Sequence, residues 1–450
     1  MMRFISLLAL LAAVLFNTAY ADIDNIDIGG DFMFEYFFGD NFDLRSGDND
    51  EVDFLRTEFH LYFQADLDDN IMTRITLEGD RALDSYNAGN INNLDDDIGD
   101  LEIFIEEAFF KIADIGGSGF SFSAGRQFLN FGDDPNGYDY NRWWGPGFII
   151  GDSRSNDPLL LTQLGSYEID PFDAIVITHQ SEMTQLDILY AQDVEDDLLG
   201  PSDVHDNDAS MTAIYGSYFG IENHQIDLYA AYNDQNGPAG SLQFEGDKWI
   251  LGGRSAGDIT EGIAYKAELA YQFEDNDINP DWEADALSIQ SGLNYHPDLD
   301  YNPNVGFLYT YLQQDGYNGA MSGFNSPFEG KTYGMIFEGL AKELGQEDPF
   351  NPFTNMHIFN VYGGFNPLNN VALSLDFYYF LLDDKITTPD GNKSKKDAGM
   401  EFDSQIDYQF NQNLNTFFGG GVYIPGDATE EVFGEDDQAY FFRAGVKVTF

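Results

Sequence analysis

Tyr440-Phe441-Phe442-Arg443-Ala444-Gly445-Val446-Lys447-Val448-Thr449-Phe450 is the stretch that decides the fold. Its even positions are apolar or aromatic, whereas Arg443, Gly445, Lys447 and Thr449 fall on odd ones. The period is two, so an extended chain here has one apolar face and one face that carries charge. In a soluble sheet the apolar face would cover a core. Against lipid, it leaves the charged face to line a lumen.

The other end of the sequence fits the lipid reading. Met1-Met2-Arg3 is a short basic start, Phe4 to Phe16 is nearly unbroken apolar, and Ala19-Tyr20-Ala21 is a small-x-small cleavage pattern. The run is too short to span a bilayer as a helix. We expect a signal peptide over 1–21, with one barrel domain over 22–450. No later stretch holds eighteen apolar residues, so a membrane-embedded mature protein has to span as a closed sheet. The aromatic at Phe450 resembles the C-terminal signal of bacterial outer-membrane proteins. The expected location is the outer membrane of a Gram-negative cell, with lipid as a partner.

Composition removes several classes. There are no cysteines among 450 residues, which excludes disulfides and thiolate metal sites. Mean hydropathy is −0.32, too polar for a helical membrane protein but suited to a barrel. Acidic residues number 79 against 20 Lys and Arg, a net charge of −59 that rules out nucleic acid as a partner. The surplus reads either as solvation in a saline medium or as a functional field.

Alternating segments recur to the end of the chain without a linker. Leu55, Thr57, Phe59, Leu61 and Phe63 oppose Arg56, Glu58, His60, Tyr62 and Gln64; Ile263 to Phe273 oppose Lys266, Glu268 and Gln272. About eighteen such segments begin near 25, 53, 71, 102, 120, 172, 185, 210, 224, 244, 261, 284, 304, 356, 371, 398, 414 and 438. Short and long connections alternate between them. An all-β, transmembrane antiparallel barrel follows, with both ends and the short turns in the periplasm and long loops outside.

Glu107-Ala108-Phe109-Phe110-Lys111, Gly125-Arg126-Gln127-Phe128-Leu129-Asn130-Phe131-Gly132-Asp133 and Phe172-Asp173-Ala174-Ile175 resemble the alginate export family of outer-membrane porins. Gly399-Met400-Glu401-Phe402-Asp403 and Gly419-Gly420-Gly421-Val422-Tyr423-Ile424-Pro425-Gly426-Asp427 extend the resemblance over most of the mature chain. It implies an eighteen-stranded monomer that passes an anionic polysaccharide from periplasm to exterior, with a periplasmic secretion partner possible.

Export of a polyuronate calls for guanidinium groups along the pore, because these hold carboxylates in bidentate fashion. Parity points Arg56, Arg74, Lys266, Arg443 and Lys447 inward, with Lys248 and Arg254. Glu58, Glu78, Asp227, Glu268, Asp376, Glu401, Asp403 and Asp407 share that face, so each base has acids to pair with. Arg126 is ambiguous: strict parity with Phe120 and Phe122 turns it outward, and a bulge or snorkelling would bring it in. In loop 133–170, Arg142, Trp143, Trp144 and Arg154 offer ring faces for sugars and forks for carboxylates. They either enter the pore as a constriction or pack on the rim.

Nothing indicates catalysis or a cofactor. The six histidines have no metal-ligand spacing, and no P-loop, dinucleotide or Gly-x-Ser-x-Gly pattern occurs. The acidic loops at Asp95-Asp96-Asp97 and Glu195-Asp196-Asp197 offer oxygens for Ca²⁺ but lack the EF-hand pattern. We expect a passive channel for a polysaccharide, such as an alginate-like polyuronate, or another polar solute. Alternatives are a general cation-preferring porin and a structural or adhesive outer-membrane protein.

Overall fold

A computed structural model describes residues 25–41, 51–68, 70–83, 102–131, 171–194, 208–236, 246–276, 285–313, 324, 333–337, 355–385, 388, 392–433 and 437–450. The leader expected over 1–21 lies outside the described residues. Eighteen strands follow in chain order: β1 (Asn25–Asp40), β2 (Val52–Asp68), β3 (Ile71–Leu83), β4 (Glu102–Ile112), β5 (Phe120–Gln127) and β6 (Phe172–Gln180). Next come β7 (Thr184–Val194), β8 (Asp208–Ile221), β9 (His224–Asn236), β10 (Gly246–Thr260), β11 (Ile263–Asn276) and β12 (Ala286–Tyr295). The set ends with β13 (Asn304–Leu312), β14 (Met356–Leu368), β15 (Val371–Leu382), β16 (Asp397–Asn411), β17 (Leu414–Pro425) and β18 (Ala439–Thr449). One short helix, α1 (Asp427–Phe433), follows β17.

Every strand pairs antiparallel with its neighbour in sequence, and β18 closes on β1 from Asp31↔Thr449 to Asp40↔Tyr440. The last rung is made by Phe450, which exchanges both main-chain bonds with Gly30 at 2.9 Å. Closure leaves no strand edge unpaired, the condition for a sheet surrounded by hydrocarbon. The strands are long, reaching 16 residues in β1 and 17 in β2. Barrel strands are tilted, and the ladder continues beyond the apolar belt wherever water meets its polar flanks.

Side-chain parity divides the wall as the sequence predicts. Phe32, Phe34, Ile177, Ile188, Leu228, Leu251, Leu269, Phe307, Phe377, Phe402, Phe418 and Phe442 are exposed on the outer face. Arg56, Asp227, Arg254, Glu268, Glu401 and Arg443 are buried on the inner one. Short links (69–70, 113–119, 181–183, 222–223, 261–262, 296–303, 369–370, 412–413) alternate strictly with long ones. The β3–β4 ladder contains a bulge. Thr76 lies opposite Glu107 and Leu77 opposite Ile105, so Glu106 is an extra residue in β4.

On the inner face, glycines on one strand receive aromatic rings from the next. A Cβ at Gly252 would overlap the Tyr229 ring, and one at Gly306 would overlap that of Tyr362. Such ring-over-glycine pairs lock register, because a one-residue slip puts the ring on the wrong face. Gly252→Val should therefore lower barrel stability by about 1–3 kcal/mol, as overpacking does. Denaturant titration of the refolded barrel reads it. The alternation of link lengths also predicts sidedness: a cysteine at Lys393 should label on intact cells and one at Asn369 should not.

Candidate functional site: the charged lumen

The inner faces of β18, β1, β2, β3 and β4 carry a contiguous set of charges. Arg56 Nη2 lies 2.8 Å from Glu58 Oε2, and Arg443 Nη1 lies 3.6 Å from Glu35 Oε1. Arg74 Nε is 3.1 Å from Glu107 Oε2, while Thr76 donates to the same oxygen at 2.8 Å. Two rings back this layer, Tyr62 under Arg74 at 4.5 Å and Phe417 under Arg443 at 4.9 Å. Guanidinium groups over aromatic faces gain from the ring quadrupole as well as from their anions.

Across the lumen, register puts Asp227, Arg254 and Glu268 in one row on β9, β10 and β11. Arg254 Nη1 reaches Asp227 Oδ2 at 2.7 Å, with both side chains at most 2% exposed. Gln225 donates to Asp227 at 2.9 Å and Tyr229 to Glu268 at 2.7 Å. A pair this buried is expensive to break, about 3–5 kcal/mol when one partner is removed, because the other stays charged and unsolvated.

One layer nearer the short-turn end, His60 stands among four carboxylates. Its Nδ1 is 3.2 Å from Asp31 and 3.7 Å from Glu58; its Nε2 is 3.8 Å from Glu78 and 3.9 Å from Glu106. Lys447 sits 3.2 Å from the same Asp31 oxygen. The bulge in β4 is what turns Glu106 inward beside Glu107, where unbroken alternation would send one of them to the outer face.

The lumen also holds chain from the long connections. After β5, Leu129 and Phe131 fold back and bury against Leu189, Met211, Tyr215, Tyr229 and Ile250. From the link after β13, Tyr333, Ile336 and Phe337 pack on Phe380, Tyr423, Met356, Phe37 and Phe54, with α1 contributing Ala428 and Val432. Glu401 receives the main-chain N–H groups of Ile336 at 2.6 Å and Phe337 at 2.8 Å, and Asp403 receives that of Met335 at 3.4 Å. Gly334, at φ +81°, turns the segment so that these donors converge.

The expected site residues therefore separate. Arg56, Glu58, Arg74, Glu78, Arg254, Glu268 and Arg443 sit in the inner-face networks; Lys248 is buried on the inner face of β10 and Lys266 half-buried on that of β11. Asp403 holds the 333–337 segment instead of lining open lumen. Of the two readings of Arg126, register follows strict parity: it lies opposite Asp173 on the side shared with Phe120 and Ile177, with no register shift in β5. Arg142, Trp143, Trp144 and Arg154 lie outside the described residues, as do the acidic loops at 95–100 and 195–197. The inward-folded segment that the structure does show after β13 belongs to a different loop. Its signal was readable in Phe37, Met356, Phe380 and Tyr423, apolar residues at inward parity that mark strands covered on both faces.

Glu401→Ala should release the 333–337 segment, since two N–H groups lose a carboxylate at about 1.5–3 kcal/mol per bond. Single-channel conductance in planar bilayers is expected to rise and grow noisier relative to the unmodified protein.

Solved structures share the architecture. Over 96% of this chain, OccAB2 of Acinetobacter baumannii superposes with TM-score 0.56 at 12% identity, covering 99% of that chain. Pseudomonas aeruginosa OpdQ gives 0.54 at 14% identity over 96% of this chain and 99% of its own. Pseudomonas aeruginosa OpdO gives 0.56 at 12% over 96% and 98%. At such identities the likeness is one of fold. A search of curated protein sequences gives no match. The sequence profile described as alginate export matches residues 24–442, nearly the whole barrel. The chain belongs to the alginate export family and is an outer-membrane protein.

Proposed function

We propose that this protein is a monomeric, membrane-spanning, passive outer-membrane channel for polar solutes with a weak preference for cations. The observation that carries the reading is the pairing of lumen arginines. Arg56, Arg74, Arg254 and Arg443 each have a carboxylate within 3.6 Å. A polyuronate has to find guanidinium groups whose charge is not already answered, and these four are engaged by Glu58, Glu107, Asp227 and Glu35. Opposite charges this close cancel well inside a Debye length of about 8 Å. The chain's net charge of −59 then biases the mouths toward cations.

Family membership favours a second reading, export of an alginate-like polysaccharide. In that reading the paired arginines exchange protein carboxylates for those of the passing chain, and a periplasmic partner delivers it. The two readings differ in sign. The reversal potential across a KCl gradient should correspond to modest cation selectivity. Strong anion selectivity, with block by oligouronates, would overturn the first reading in favour of the second.

A further inference from the structure

We propose that the lumen wall of β1 to β4 carries a binding site for a divalent transition-metal cation, with His60 Nε2, Glu78 and Glu106 as its ligands. This goes beyond the channel reading and does not depend on ion selectivity, because it concerns binding to the wall and not permeation.

The imidazole is oriented from one side. Asp31 lies 3.2 Å from Nδ1 and 3.2 Å from the Lys447 ammonium. A carboxylate held by an ammonium is ionised and only accepts, so Nδ1 is the donor. Fixing one ring nitrogen through a carboxylate is how metal-binding histidines are commonly held, and it raises the basicity of the other. Arg56, at 2.8 Å from Glu58, anchors the second acid on this edge.

The opposite edge faces the candidate ligands. Nε2 is 3.8 Å from Glu78 Oε1 and 3.9 Å from Glu106 Oε1, and the three ligand atoms lie within 4.8 Å of one another. Tetrahedral bonds of about 2.0–2.2 Å separate ligand atoms by roughly 3.4 Å, so the two imidazole–carboxylate separations need to close by about half an ångström. A nitrogen facing two carboxylates forms a donor set that a metal ion between them would complete. The donor set of one imidazole and two carboxylates suits Zn²⁺ or Mn²⁺, whereas Ca²⁺ prefers oxygen alone. The site also depends on an irregularity of the sheet: the extra residue in β4 is Glu106 itself. Glu107 next to it serves Arg74 and Thr76.

The test uses the full-length refolded barrel in detergent, stripped with chelator, with Zn²⁺ titrated calorimetrically. Folding of each variant is checked by heat-modifiable migration on gels. One saturable equivalent is expected, with affinity at least about tenfold weaker in His60→Ala and in Glu106→Gln and unchanged in His357→Ala. His357 is the control because it also contacts an acid, Asp383 at 3.4 Å, far from the lumen cluster. Should His60→Ala fail to fold, the isosteric Glu106→Gln carries the test alone. Absence of saturable binding, or equal binding in all variants, overturns the proposal and leaves His60 as an imidazolium among acids. So does Ca²⁺ binding as tightly as Zn²⁺. None of these outcomes bears on the reversal potential, so the two proposals fail separately.

Discussion

Hydrocarbon offers the peptide group no hydrogen-bond partner, and the rest of this structure depends on that constraint. Each unsatisfied main-chain group in lipid costs several kcal/mol. A sheet meets the demand only when it has no edge, so β18 must return to β1. Closure then inverts the usual arrangement of a protein, because the apolar face points out and polar groups are enclosed. In that enclosure Arg254 and Asp227 sit almost without exposure, yet each has a partner.

Enclosed charges set the character of the lumen. Cross-strand register, fixed by main-chain bonding and by rings seated over Gly252 and Gly306, places acids and bases in adjacent columns. Arg254 lies between Asp227 and Glu268 because β9, β10 and β11 are in register, and no loop is needed to bring them together. The polar interior is thus built on rigid strands, where geometry is held more tightly than on loops.

Most of the wall was legible in the sequence because a strand reports its environment through a period of two. Phe442 and Val448 against Arg443 and Lys447 gave the last strand its orientation, and the other strands repeat the pattern. Three things were not legible. A bulge adds one residue without changing composition, so nothing in Glu106-Glu107 reveals that both turn inward. The neighbours of His60 come from positions 31, 58, 78 and 106, which no local motif can join. Finally, alternation describes the wall and not what fills it. The inward path of Leu129, Phe131 and 333–337 is a tertiary event, foreshadowed only by apolar residues where water was expected.

The rung between Gly30 and Phe450 has a consequence for how the molecule is made. Residues 420 positions apart in sequence (450 − 30) must meet before the sheet becomes a ring. Loop-closure entropy for so distant a contact is not recovered until the final pairing forms, which makes this a slow topology. Until then β1 and β18 are open edges bearing Phe32, Phe34, Phe37, Phe441 and Phe442, a combination prone to pairing with other chains. In transit to the membrane, the hazard lies less in the core than in two unmated margins, and any escort that keeps the chain competent has to shield those margins longest.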